Sequence, residues 1–266
     1  MTKIKNFIFD MDGTIYLGNK PLPGSIESMD YLNDNYSIYF MTNNSTKDIN
    51  DYKKKLTNLG FKHGLNNIMT SGEACGRYIL NNYGKSKIFL LGTPNLKKQF
   101  ENMGLKIVKA KEADMVVLGF DTTINYNKMW EACDLIRENK PYIATHPDKN
   151  CPLPGGKWMP DTGAMMAFFE AATGKLPVVI GKPKKPMYDA FVDAYGIKAE
   201  ETIVVGDRLY TDMKFGNDFG FKTMLVLTGE TSMEMYKKSD VKVNYIVDGI
   251  HQLKGKKFLE NLLKEI

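Results

Sequence analysis

The chain has 266 residues, 43% of them hydrophobic, with 36 Lys and Arg against 31 Asp and Glu, a formal net charge of +5. That is enough chain for a full core, as one large domain or two modest ones, and its longest apolar runs fall far short of the roughly 18 residues a membrane span needs. The basicity is mild and dispersed: no aromatic residues interleave with Lys53-Lys54-Lys55, Lys184-Lys185 or the lysines of 254–257, which argues against a nucleic-acid partner and leaves a surface that favours small anions.

In chain order, residues 5–9 read as a buried strand, 23–32 as a short helix and 37–41 as a second strand ending at Thr42. Met1-Thr2-Lys3 runs straight into the first strand without room for a signal peptide, so a cytoplasmic location is expected. Ser45 with Asp48 three positions on has the form of a capping box and predicts a helix over 46–59. Thr42, Asn43 and Asn44 would then sit at a helix N-terminus, which offers N–H groups to an anion. After a helix over 72–83, strands at 87–92, 115–119 and 142–145 alternate with helices near 96–103 and 127–138, a complete α/β layer. A helix over 162–173 closed by Gly174 ends it. A strand at 178–180, a helix at 186–195 and strands at 202–205 and 222–226 follow. Alternating strands and helices imply βαβ units and a parallel sheet. The expected organisation is a Rossmann-like core of residues 1–80 plus 178–266, with an inserted α/β domain over 81–177.

Cys75, Cys133 and Cys151 are odd in number, well separated and without a Cys-x-x-Cys pair, so they read as reduced packing residues. His63, His146 and His251 are scattered and form no metal-ligand spacing.

Two acidic runs carry the chemistry: Phe7-Ile8-Phe9-Asp10-Met11-Asp12-Gly13-Thr14 and Gly206-Asp207-Arg208-Leu209-Tyr210-Thr211-Asp212. Each follows an apolar stretch of the kind that forms a buried parallel strand, and open α/β sheets bind ligands just beyond the carboxyl ends of their strands. Two like charges about 4 Å apart at an effective dielectric near 20 repel by about 4 kcal/mol. Carboxylates gathered there call for a cation, and Mg²⁺, which takes a few carboxylates, carbonyls and phosphate oxygens while keeping waters, is the economical one.

Asp-x-Asp-Gly-Thr alone is ordinary turn chemistry. In company with Thr42-Asn43-Asn44, Gly181-Lys182-Pro183 and the run from Gly206 to Asp212, in that order, it resembles the four motifs of the haloacid dehalogenase superfamily of phosphohydrolases. The interval between the first two motifs is too short for a domain, whereas that between the second and third holds one. This resembles the type IIA branch, the NagD-like and 4-nitrophenylphosphatase-like enzymes, as does Pro160-Asp161-Thr162-Gly163-Ala164 before an apolar helix.

The resemblance implies a fold with a type C2 cap and roles residue by residue. Asp10 would attack phosphorus and form an aspartyl-phosphate. Asp12 would protonate the departing alkoxide and later deprotonate water. Mg²⁺ would be held by the Asp10 and Asp207 carboxylates and the Asp12 carbonyl, with Asp212 in support. Thr42, Asn43 and Asn44 would bind phosphate oxygens, and Lys182 would neutralise nucleophile and phosphate. His146, Asp148, Trp158 and Asp161, in two loops of the insert, are candidate substrate contacts, with packing or turn roles as the alternative. A small phosphorylated metabolite is the expected substrate, and pairing into a homodimer is a property of relatives. Asp, Thr and Lys at parallel-strand ends also describe a phospho-accepting signalling domain or a metabolite-binding protein without turnover. Asp12 and the large insert argue against the signalling domain, and a suitable residue for every chemical role argues against the silent binding protein.

Overall fold

The computed structural model describes residues 3–153, 155–255 and 259; Lys256 and Lys257 of the C-terminal lysine run lie outside them. Two compact units are present, one of residues 1–42, 52–68 and 192–266, the other of residues 43–51 and 69–191.

The first unit is organised by a sheet in the order Tyr245–Val247, Lys222–Val226, Thr202–Gly206, Asn6–Phe9, Ser37–Thr42, Ile68–Thr70. Asn6–Phe9 is central and parallel to both Thr202–Gly206 and Ser37–Thr42. Phe7, Ile8 and Phe9 are buried without alternation, as expected of a parallel strand covered on both faces. Helix Ser25–Asn33 buries Met29 and Leu32, and the Ser28 hydroxyl ties it to the Ile250 carbonyl at 2.7 Å.

The second unit has its own parallel sheet, in the order Val178–Val179, Tyr142–Ala144, Met115–Leu118, Lys87–Leu91, Lys106–Ile107. Phe89, Leu91, Val116, Leu118, Ile136 and Phe169 pack into one cluster on it, with Phe169 edge-on to Tyr142 at 6.1 Å between centroids. Helix Thr162–Thr173 ends where the alternation places it, Gly174 taking φ 70° and donating its N–H to Glu170.

Three local expectations change. Helix Ile49–Asn58 starts later than 46, because Asp48 and Asp51 exchange the capping bonds, Asp51 N–H to Asp48 Oδ1 at 2.8 Å and Asp48 N–H to Asp51 Oδ2 at 3.3 Å. Ser45 is not the cap: its Oγ accepts from Phe120 N–H at 3.0 Å and pairs with the Thr145 hydroxyl at 3.1 Å. Thr42, Asn43 and Asn44 therefore do not open a helix. The strand near 178 pairs with Tyr142–Ala144 of the second sheet, Val178 beside Ile143, rather than returning to the first. And Asn150–Leu153 and Lys157–Pro160, expected in a loop, pair as antiparallel strands, with Gly155 and Gly156 between them at positive φ; Pro152, Pro160 and the lack of alternation hid the pairing.

Among the described residues no helix is long and apolar enough to cross a membrane. The cysteines are free thiols, and burial pushes that of Cys75 up, which suits packing rather than reactivity.

Candidate active site

Register in the first unit sets the acidic centre. Phe9 lies beside Val205, and Asp10 donates its N–H to the Val205 carbonyl at 2.8 Å, so Asp10 and Asp207 leave the carboxyl ends of neighbouring strands side by side. Asp212 joins them from a wide turn over Leu209–Met213, where the N–H groups of Asp212 and Met213 both donate to the Arg208 carbonyl. One carboxylate oxygen from each of Asp10, Asp207 and Asp212 lies within 4.8 Å of the others. Three glycines make the crowding feasible. A Cβ on Gly206 would stand 2.4 Å from Asp212, one on Gly13 (φ 87°) 2.7 Å and one on Gly229 2.0 Å from Asp207 Oδ2.

Asp207 is buried, and that burial, with the charge of Asp212 beside it, raises its carboxyl from the ordinary range up to about 7; Arg208 and the Glu230 N–H pull it down, and the Glu230 charge adds to the rise. The Glu230 N–H donates to Oδ2 at 2.7 Å and the Thr14 hydroxyl to Oδ1 at 3.4 Å. Glu230 pairs with Arg208 at 3.0 Å and accepts from the Tyr210 hydroxyl at 3.1 Å. Three hard carboxylate oxygens in one place, one of them held proton-hungry by its neighbours, are a donor set that fits a divalent cation such as Mg²⁺.

Asp12 sits on the loop that follows, exposed to solvent. The N–H groups of Thr14, Ile15 and Tyr16 converge on the Met11 carbonyl, and Gly13 donates to the Tyr16 carbonyl at 2.8 Å, a tight loop that holds Asp12 two residues from Asp10. Tyr16 is buried below it; burial raises its phenol, with smaller contributions from Tyr52, Asp12 and Asp10. The Lys55 ammonium lies 3.7 Å from the Tyr16 ring centroid, a cation–π contact, so Lys55 departs from the solvated reading that suits exposed Lys53 and Lys54. Thr42 ends the strand on the other side of Asn6–Phe9 and is buried.

The remaining sequence-predicted residues belong to the second unit. Lys182 and Asn43 are buried and bonded to one another through Asn43's amide and Lys182's main chain. Asn44 Oδ1 accepts from the Thr46 N–H and hydroxyl at 2.9 and 2.7 Å and shapes a turn. His146 has no exposed surface: Nδ1 faces the Thr145 hydroxyl at 2.9 Å and Nε2 faces Asp161 Oδ1 at 2.9 Å. That same Asp161 oxygen accepts from Thr162 N–H at 2.6 Å as the N-cap of helix Thr162–Thr173. His146 and Asp161 thus take up packing and capping work inside their unit. Trp158, in contrast, is 54% exposed on the hairpin.

Thr14 and Arg208, which lie in the acidic runs but carried no assigned role there, surround Asp207 with Gly229 and Glu230; Gly229, Glu230 and Ser71, whose hydroxyl donates to the Asn43 carbonyl, were not singled out from the sequence. One signal was present: Thr228-Gly229-Glu230-Thr231 follows the strand Lys222–Val226 as the acidic runs follow theirs.

Clustered carboxylates at the carboxyl ends of parallel strands mark an α/β protein of the kind that binds a divalent cation and phosphoryl groups at its strand ends. The family model of the haloacid dehalogenase-like hydrolases matches residues 7–106, and a HAD-hydrolase-like model matches 179–253. An acid sugar phosphatase of Staphylococcus haemolyticus is 30% identical over 92% of this chain and 93% of its own. The crystal structure of a 4-nitrophenylphosphatase from Thermotoga maritima superposes with a TM-score of 0.89 at 43% identity, covering 94% of this chain and 96% of that one. A glycerol phosphate phosphatase from Mycobacterium tuberculosis, in complex with magnesium, gives 0.87 at 27% identity, over 96% and 79%. The chain belongs to the haloacid dehalogenase-like hydrolases, in their type IIA, NagD-like branch, and is a phosphatase of that family.

Proposed function

We propose that the protein is a Mg²⁺-dependent phosphomonoester hydrolase acting on a small phosphorylated metabolite, a sugar phosphate, phosphoglycolate-like acid or nucleotide, through an aspartyl-phosphate on Asp10. The observation that carries this reading is the convergence of Asp10, Asp207 and Asp212 oxygens within 4.8 Å at adjacent strand ends. The relatives named for sugar phosphate, nitrophenyl phosphate and glycerol phosphate support a small phosphomonoester.

Asp10 Oδ attacks phosphorus as the bond to the leaving alkoxide breaks, and Asp12 gives that alkoxide its proton. In the second half Asp12 takes a proton from water, whose oxygen attacks phosphorus and frees Asp10 and inorganic phosphate. The Asp10 and Asp207 carboxylates and the Asp12 carbonyl would hold Mg²⁺, supported by Asp212; the cation supplies charge neutralisation for carboxylates and phosphoryl oxygens. Thr42 donates its hydroxyl to a phosphate oxygen, and the main-chain N–H of Asn43 and the amide of Asn44 contribute donors. Lys182 supplies positive charge. The cap expected over 81–177 extends to take in Val178–Val179, which pairs into its sheet, and selects the substrate, with Trp158 and Asp148 as contacts; 1–80 plus 180–266 serve as catalytic core.

Purified protein should release phosphate from a chromogenic phosphomonoester with Mg²⁺. Asp10→Asn should remove at least about 1,000-fold of that rate, as loss of a covalent nucleophile does. Full activity in Asp10→Asn or in excess chelator overturns the mechanism. A stoichiometric phosphoprotein without multiple turnover would instead make the aspartyl-phosphate the product.

A further inference from the structure

Asn43 follows Thr42 and was expected to bind phosphate. Its side-chain amide is engaged elsewhere. Oδ1 accepts the Lys182 N–H at 2.7 Å, while Nδ2 donates to the Lys182 carbonyl at 3.0 Å and to Asp148 Oδ1 at 3.1 Å. All three residues are buried, at 5%, 2% and 6% exposure. The orientation of the amide follows from its partners: turned over, it would set a donor against the Lys182 N–H and an acceptor against two oxygens. Both of its N–H donors are therefore committed, leaving none for a phosphate oxygen. The Asn43 carbonyl accepts the Ser71 hydroxyl. Gly181 completes the arrangement, because a Cβ there would fall 2.6 Å from Asn43 Oδ1 and 2.8 Å from the His146 Cβ.

We propose that Asn43 is a positioning residue: its amide clamps the main chain of Lys182 on both sides and ties it to Asp148, so that the Lys182 ammonium is presented in one place. This rests on the role given to Lys182 above. A clamp of two bonds to the N–H and C=O of one residue removes main-chain freedom as a ladder pair does, and a reacting group displaced by about 1 Å costs on the order of 100-fold in rate. Asp148 then acts on the reaction through Asn43, whether or not it touches substrate.

A cycle of variants tests this. Asn43→Asp sets a carboxylate against the Lys182 carbonyl and Asp148 and should lower kcat by about 100-fold. Adding Asp148→Asn restores a donor to that contact and should recover about tenfold. In a Lys182→Met background, Asn43→Asp should cost less than about threefold more, because a clamp has no effect without its cargo. No recovery in the pair, or a full additional loss in the Lys182→Met background, overturns the proposal. Thermal unfolding of the same Asn43 and Asp148 variants reads their bond without turnover. Non-additive shifts in Tm support the clamp, and additive shifts overturn it. Wild-type protein that releases no phosphate from any phosphomonoester would instead refute the proposed function, and the unfolding cycle would still read the clamp.

Discussion

Polar side chains are buried in both units, but on opposite terms. In the first, Asp10, Asp207 and Asp212 crowd three carboxylates together, and around Asp207 the Glu230 N–H, the Thr14 hydroxyl and Arg208 offset the crowding. In the second, Asn43, Ser45, Ser71, Thr145, His146 and Asp161 meet donor to acceptor in a network of neutral and charged groups. The difference separates carboxylates crowded where a divalent cation would relieve them from a polar network of matched donors and acceptors, which specifies geometry.

The same substitution in the two regions should give different phenotypes. Gly229→Ala drives a methyl into Asp207 Oδ2, 2.0 Å away, and should lower turnover by about 100-fold or more and abolish the rise in Tm on adding Mg²⁺. Gly181→Ala, crowding Asn43 Oδ1, should lower turnover comparably or less while leaving the Mg²⁺-induced rise in place. Calorimetry with and without Mg²⁺ distinguishes them; an intact metal response in Gly229→Ala would break the comparison.

Proton linkage sharpens it next. Asp207 carries its proton up to about pH 7 in the fold against an ordinary value of 3.8. Between those limits the metal-free folded chain binds a proton that the unfolded chain does not, so stability from this group is full below about pH 4 and is lost as pH rises through 7. A cation replaces that proton, and Mg²⁺ should raise Tm more at pH 8 than at pH 5. An equal rise at both values would remove Asp207 from the binding group.

Smaller effects belong to the polar network and the surface. Asp161→Ala removes the cap on Thr162 and the partner of His146 and should cost about 1–3 kcal/mol in denaturant unfolding. Lys238→Ala, breaking the exposed pair with Glu234 at 2.7 Å, should cost under about 0.5 kcal/mol.

Most strands and helices were legible because they are long, periodic and capped locally, as helix Thr162–Thr173 between Asp161 and Gly174 is. The misreadings share a cause. Ser45-Thr46-Lys47-Asp48 and Asp48-Ile49-Asn50-Asp51 both satisfy the capping pattern, and the choice fell to Phe120 and Thr145, which hold Ser45. Val178–Val179 is short and apolar, with nothing local to say which sheet it joins. His146 was legible as a polar residue after a strand, but its burial against Asp161 depends on residues fifteen positions away.

By itself the sequence determined the alternation of strands and helices, the acidic residues at the strand ends and so the class of chemistry, because apolar runs stopped by Asp, Thr or Lys are local signals. Tertiary structure alone decided which groups share a space: the register that sets Phe9 beside Val205, the contact of Thr14 with Asp207 across 193 positions, and the hold of Asn43 on Lys182 across 139. These depend on hydrogen-bond pairing and close packing between distant segments, which no local run of residues encodes.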